Sequence, residues 1–334
     1  MGVPIGDIIP RRKVEINELG KVAVDAHNAI YQFLSIIRQR DGTPLMDSRG
    51  GVTSHLSGLF YRNANLIESG VKLIYVFDGA PPALKKDTLT DRREIREHAE
   101  QMWVEAKAKG MPEAFKYAQA SSKINEDIIE SSKQLLSYMG IPTVQAPSEG
   151  EAQASYMTMK GDARYTGSQD FDSLLFGAPR LVRNLTITGK RKLPGKNVYV
   201  TVTPESIELS DVLESLEITR EQLIEIGILV GTDFNKGVKG IGPKKALKLV
   251  KDNGIESVLE LLDEHMNYER VKQFFLHPDV TDDYKLKWNM PDDDHIAEFL
   301  CDQHDFSRER VEKVVEKLST AYHSSSQMSL SRWF

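Results

Sequence analysis

Two short apolar runs, each closing on an aspartate, set the first pattern along the chain. Lys21-Val22-Ala23-Val24 reads as a buried strand ending at Asp25, and Val71 to Phe77 as a second ending at Asp78. The unbroken apolar stretches Val22–Val24 and Leu73–Phe77 suit strands covered on both faces. After the first, Ala26 to Gln39 carries Ile30, Phe33, Leu34 and Ile37 at helical spacing, which predicts a helix packed by one face. After the second, Gly79-Ala80-Pro81-Pro82 breaks regular structure. Thr90 to Lys109 then reads as a long charged helix whose apolar stripe, Ile95, Ala99, Met102 and Trp103, is too thin for a core helix. Ile124 to Met139 is a conventional amphipathic helix, stopped by Gly140 and Pro142.

The alternation continues with shorter elements. Arg164-Tyr165-Thr166 and Arg180 to Leu185 read as strands, and Asn197 to Val202 as a hairpin partner beyond a basic turn, Lys190-Arg191-Lys192. Gln222 to Val230 is helical. Residues 255–320 alternate short helical runs with Pro and Asp turns, and Ser324-Ser325-Ser326 marks the expected end of the compact domain. Strands alternating with helices predict an α/β fold.

Two tight pairs of carboxylates stand out against this frame: Glu149 and Glu151 in Pro147-Ser148-Glu149-Gly150-Glu151, and Asp170 and Asp172 in Ser168-Gln169-Asp170-Phe171-Asp172. Pro147 and Ser148 are expected to open a helix, which puts both glutamates in its first turn. Each acidic position also fits a structural reading. Ser148 with Glu151 matches a capping box, Asp172 before Ser173-Leu174-Leu175 an N-cap, and Asp25 and Asp78 turn residues. With Asp233, however, seven carboxylates stand at element ends, where an α/β sheet places its ligand site. That number suits two divalent cations, Mg²⁺ or Mn²⁺, sharing bridging oxygens. Two such ions roughly 3.5–4 Å apart clamp an in-line phosphoryl displacement.

A second chemical signal lies in Val238-Lys239-Gly240-Ile241-Gly242-Pro243-Lys244-Lys245. Gly240 and Gly242 permit a tight turn with outward amides, and Pro243 suits a first helical turn. Together they read as a helix–hairpin–helix that grips a phosphate backbone without reading bases, with Lys244 and Lys245 beside it. The plainer reading is a glycine turn before a lysine-rich surface helix.

Composition narrows the class. The 334 residues admit one large α/β domain or two smaller ones, and the single cysteine, Cys301, excludes an internal disulfide framework. No apolar run spans a membrane, no secretory leader is expected, and Gly6 stands where a myristoylation signal would have Ser or Thr. Neither a Cys/His zinc pattern nor a Walker loop is present. The net charge of −6 argues against a nucleic-acid partner only if acidic and basic residues are mixed; here the acids gather in one place.

Taken in order, these motifs resemble the flap endonucleases, structure-specific nucleases of replication and repair. The resemblance runs nearly end to end, through Met1-Gly2-Val3-Pro4-Ile5-Gly6, Val24-Asp25-Ala26, Tyr31-Gln32-Phe33-Leu34, Val76 to Pro82, Ala146 to Ala154, Ser168 to Gly177, Gly231 to Val250, and Phe274 to Tyr284. It implies a central, mainly parallel sheet flanked by helices, with a helical arch over a two-metal site. It implies that Asp25, Asp78, Glu149, Glu151, Asp170, Asp172 and Asp233 are metal ligands. Lys85 and Arg92 would meet the scissile phosphate, Tyr31 would stack on the adjoining nucleotide, and Arg38 would lie near DNA. The Gly240–Gly242 hairpin would also hold K⁺, and Gly2 would begin a segment beside the active site.

The implied organisation is one nuclease domain over residues 1–320, with an N-terminal region over 1–98 and an internal region over 116–258. The arch would span about 80–130, the helix–hairpin–helix about 223–262, and a flexible tail 321–334. That tail resembles a sliding-clamp-binding motif. In one 3₁₀ turn Leu330 and Trp333 share a side, with Phe334 beside them and Gln327 at the rim. The expected partners are branched DNA and a sliding clamp, the expected state a monomer, and the expected place the cytoplasm at replication forks, or the nucleus in a eukaryote. Two rivals stand beside flap cutting: a relative with mainly exonuclease or bubble-cutting activity, and an inactive DNA-binding scaffold for the clamp.

Overall fold

The structure is a computed structural model; it describes residues 2–111, 113–186, 189–192, 199–261 and 268–330. Among them, nine strands form a seven-stranded sheet and a two-stranded ribbon. In chain order the strands are β1 (Arg12–Lys13), β2 (Lys21–Asp25), β3 (Lys72–Phe77), β4 (Thr143–Gln145), β5 (Tyr165–Gly167), β6 (Arg180–Arg183), β7 (Gly189–Lys192), β8 (Tyr199–Val202) and β9 (Glu205–Glu208). The main sheet runs β1-β9-β6-β5-β2-β3-β4; β4, β3, β2, β5 and β6 are parallel, and β9 pairs antiparallel with both β6 and the edge strand β1. β7 and β8 form the separate ribbon. Lys190-Arg191-Lys192, expected as a turn, is therefore strand; the ribbon's connection lies outside the described residues.

Thirteen helices accompany the strands among the described residues: α1 (Ala26–Ile36), α2 (Ser54–Glu68), α3 (Lys86–Ala108), α4 (Ala114–Ala120), α5 (Glu126–Tyr138), α6 (Gly150–Lys160), α7 (Asp172–Leu175), α8 (Leu209–Leu216), α9 (Arg220–Val230), α10 (Pro243–Leu261), α11 (Tyr268–Leu276), α12 (Asp293–Ala297) and α13 (Arg308–Leu330). The alternating side chains of the central strands feed separate cores. Val22, Val24, Leu73, Tyr75 and Phe77 pack with α1, α2, α5 and α13. Ala23, Ile74, Val76 and Val144 face Ala154 and Met157 of α6. A third core gathers Val3 and Ile5 with α7, α9, α10 and α11. Burial on both faces explains the unbroken apolar runs of β2 and β3.

Boundaries differ from the sequence reading where local chemistry overrides periodicity. α1 stops at Ile36, and α5 starts after Asn125, whose side chain accepts the N–H of Ile128 at 3.0 Å. The short helical runs expected in 255–320 are replaced in part by the 23-residue α13, which continues through Ser324–Ser326 to Leu330. The serine triplet therefore does not end the helix.

Candidate active site

From β2 the chain steps to β3 and β4 in one direction, then returns to build β5 and β6 on the other side. The reversal beside β2 is the switch point at which open parallel sheets bind ligands, outside the carboxyl ends of the strands. The sequence-predicted carboxylates gather there. Asp25 closes β2 and caps α1, accepting the N–H of Asn28 at 3.0 Å. Asp78 follows β3 and accepts the N–H of Gly150 at 2.7 Å. A side chain at Gly150 would bring Cβ to 2.7 Å from Asp78 Oδ1 and 3.1 Å from the carbonyl of Val76, so glycine alone permits this approach. Glu149 is the residue before α6 rather than within its first turn; Glu151 is inside that turn.

The structural readings of the two pairs do not hold. Glu151 does not close a capping box with Ser148; its Oε1 accepts hydrogen bonds from Ser168 at 2.5 Å and Ser173 at 3.2 Å. Asp172 is the first residue of α7, not its cap, and accepts the N–H of Val3 at 2.6 Å. That bond, with Gly2 against Asp170 and Asp172, brings the N-terminal segment to the site. Asp170 accepts from Asn28 Nδ2 at 3.0 Å, and Asp233 lies in the Thr232–Asn235 turn after α9.

The electrostatics record how closely these groups gather. Burial, then Asp78, Asp170 and Glu149, hold the Asp25 carboxyl well above its ordinary range. Burial, then Asp25, Asp172 and Asp170, do the same for Glu151. Burial, then Asp233 and Asp170, raise Asp172 to about 7. Glu149 also rises: burial, with Asp78 and Asp233, outweighs the neighbouring Lys85. Carboxyls pushed upward by burial and by one another are carboxyls that lack positive charge. The donor set, all hard oxygens, fits divalent cations such as Mg²⁺.

Two cations already face this site. Lys85 Nζ lies 2.6 Å from Glu149 and 3.8 Å from Asp233. Burial lowers its ammonium, but Glu149 and Asp233 pull it up further, so the net shift is upward. Arg92, two turns into α3, pairs with Asp233, and Lys236 meets Asp91 at 2.9 Å. The foot of α3 is thus drawn over the carboxylates. Its far half packs on α4; Ala99, Ala106, Ala114 and Ala118 are buried there, while Ile95 is 62% exposed. Trp103 donates to the carbonyl of Asp41 at 3.3 Å.

The remaining predicted residues divide. Tyr31 is exposed on α1. Arg38 spends its guanidinium inside the protein, donating to the carbonyls of Leu34 and Gly42 at 2.7 Å each and to Ser122 at 2.8 Å. In the hairpin, Ile241, Ala246 and Val250 are buried while Lys244 and Lys245 are at least partly exposed. Gly240 has φ of +81°, and nothing stands within 4 Å of where a side chain at Gly240 or Gly242 would begin. Gln327 and Leu330 belong to the backbone of α13. Trp333 and Phe334, and with them the expected 3₁₀ turn, lie outside the described residues.

Sequence reasoning misses the polar groups that position the carboxylates. Asn28 donates to Asp170, Gln32 to Asn28 at 2.6 Å, and Thr186 to Gln32 at 2.7 Å, a chain running from the site to the residues just beyond β6. Asn28 and Gln32 are four residues apart, so they share one helical face; that spacing is the available signal. His27, two residues after Asp25, gives no signal among histidines scattered along the chain. Its Nδ1 accepts the N–H of Asp78 at 3.2 Å.

Residues 5–99 match the XPG N-terminal domain and residues 140–233 the XPG I-region. Flap endonuclease 1 of Pyrococcus abyssi is 60% identical over 338 residues, covering 100% of this chain and 98% of that protein. The structure of flap endonuclease-1 from Methanococcus jannaschii superposes with a TM-score of 0.78 at 45% identity, covering 97% of this chain and 100% of that one. The catalytic core of Rad2 in complex with DNA substrate gives a TM-score of 0.69 at 25% identity over 94% of this chain and 97% of that one. The chain belongs to the flap endonuclease family.

Proposed function

We propose that this protein cuts branched DNA as a structure-specific endonuclease, removing 5′ single-stranded flaps in replication and repair, with 5′-exonuclease action on nicked or gapped duplex. The observation that carries the reading is the convergence of Asp25, Asp78, Glu149, Glu151, Asp170, Asp172 and Asp233 at the switch point, four of them with carboxyls raised by burial and mutual repulsion. Those seven residues would hold two Mg²⁺ ions, with Mn²⁺ able to substitute. When bound, such ions supply Lewis-acid charge and a nucleophile at neutral pH. Hydrolysis would leave a 5′-phosphate and a 3′-hydroxyl.

The chain's own groups then divide the work. Lys85 and Arg92 sit where a phosphate drawn to the carboxylates would meet them, and stabilise the charge it gains. Asn28, Ser168, Ser173 and the Val3 amide fix the carboxylate oxygens by hydrogen bonds. Tyr31 offers an exposed ring for stacking on the neighbouring nucleotide. The open Gly240–Gly242 face, flanked by Lys244 and Lys245, holds the duplex backbone and K⁺. Residues 327–334 bind a sliding clamp of the ring-shaped replication type. The protein acts as a monomer; among the described residues no helix is long and apolar enough to cross a membrane, and the reading places the enzyme in the cytoplasm.

The test is to offer a labelled 5′ flap, a nicked duplex and a bubble side by side, with Mg²⁺ and with chelator. Preferential flap cutting that requires Mg²⁺ is the expected result. Preferential bubble cutting would move the chain to a different branch of activity, and DNA binding with no cleavage of any substrate would leave a scaffold.

A further inference from the structure

His27 stands inside the carboxylate cluster with no role in the mechanism above. It occupies the first turn of α1, so the strand end that places Asp25 also places the imidazole. Nδ1 lies 3.4 Å from Asp78 Oδ2, and the ring meets Phe77 edge-on with centroids 6.1 Å apart. One nitrogen of His27, one oxygen of Asp25 and one oxygen of Asp78 all fall within 4.8 Å of one another. Among the described residues, no other three His, Cys, Asp or Glu side chains bring ligand atoms so close.

Nδ1 accepts the Asp78 N–H at 3.2 Å, so its lone pair faces the Asp78 side of the site, and ligation would exchange that hydrogen bond for a bond to the cation. The side chain is a quarter exposed.

Resting on the metal-dependent reading above, we propose that His27 Nδ1 supplies a nitrogen ligand to the cation held by Asp25 and Asp78, turning one half of an oxygen-only centre into a mixed nitrogen–oxygen site. Mg²⁺ takes oxygen donors and gives up water reluctantly, whereas imidazole is a better partner for transition-series ions. The site therefore favours Mn²⁺ over Mg²⁺ more than seven carboxylates alone would.

Pulsed electron paramagnetic resonance of the full chain loaded with Mn²⁺ tests this without reference to turnover. Directly bound imidazole gives ¹⁴N modulation of the echo. The wild-type protein is expected to show it and His27→Leu to lack it. In calorimetric titrations His27→Leu should lose roughly tenfold in Mn²⁺ affinity, with Mg²⁺ affinity changed less than about twofold. Bound Mn²⁺ with no ¹⁴N modulation in the wild type overturns the proposal and leaves the metal centre standing, and the wild-type spectrum decides this even if the variant fails to fold. Modulation that persists in His27→Leu also overturns it. A protein that binds no Mn²⁺ at all removes the metal-dependent reading on which the proposal rests.

Discussion

The strain among the carboxylates makes a quantitative prediction for Asp172→Asn. Burial and the nearby Asp233 and Asp170 raise the Asp172 carboxyl from 3.8 to about 7. The folded protein thus keeps a proton that the unfolded chain releases, and stability falls as pH rises from about 4 through 7 and stays low above that. A shift of about three pH units is worth ~4 kcal/mol at pH 8. Asparagine removes the charge and retains an oxygen for the Val3 N–H, 2.6 Å away in the wild type, and the upward shift is already net of that bond, which lowers it. In chelator at pH 8, Asp172→Asn should therefore unfold at a higher denaturant concentration than wild type, by ~4 kcal/mol, and the advantage should vanish by about pH 4. Saturating Mg²⁺ should reverse the order, because ligand binding stabilises the protein that binds it better. A variant less stable than wild type at pH 8 in chelator, or a difference independent of pH, would show that Asp172 is not held under electrostatic strain.

Other regions of the site give separate tests. Lys85→Ala and Arg92→Ala should each slow single-turnover cleavage by ~2.7–4 kcal/mol while DNA affinity changes little; weakened binding at an unchanged rate would reduce both residues to DNA contacts. Replacing Lys244 and Lys245 with Ala should weaken binding to every duplex sequence alike and make the slope of log affinity against log salt shallower by about one per lost contact. An unaltered slope means those lysines form a solvated face. Deleting residues 327–334 should abolish binding to the cognate clamp, measured by calorimetry, with clamp-free flap cutting close to wild type. Tight clamp binding by the truncated chain would remove the motif.

Asp25 and Asp78 are legible in the sequence because each closes or follows a strand whose pattern is strong. Val22 to Val24 and Leu73 to Phe77 are buried on both faces, so the strands and the aspartates that close or follow them can be placed from apolar runs alone. β9 and α8 escape the sequence reading, and β6 is shorter than expected, since such short elements show too few repeats to carry a clear period. Glu149 sits one residue outside the helix expected to contain it, because Ser148 looks like the better cap while the tertiary pull of Ser168 and Ser173 on Glu151 decides the geometry. The direct pairing of Lys85 and Arg92 with Glu149 and Asp233 depends on how α3 folds back over the sheet, which no local pattern encodes. His27 and the Asn28–Gln32–Thr186 chain are hidden for the same reason: their meaning lies in contacts across the fold.

Whether the carboxylates act through bound cations is tested directly by single-turnover cleavage of a 5′-flap substrate by wild type, Asp170→Asn and Asp172→Asn in saturating Mg²⁺, with DNA affinity measured alongside. Both variants should lose orders of magnitude in rate and keep near-normal affinity for branched DNA, because binding rests mainly on remote phosphate contacts. Near-normal cleavage by both variants would mean that these carboxylates do not hold the catalytic cations.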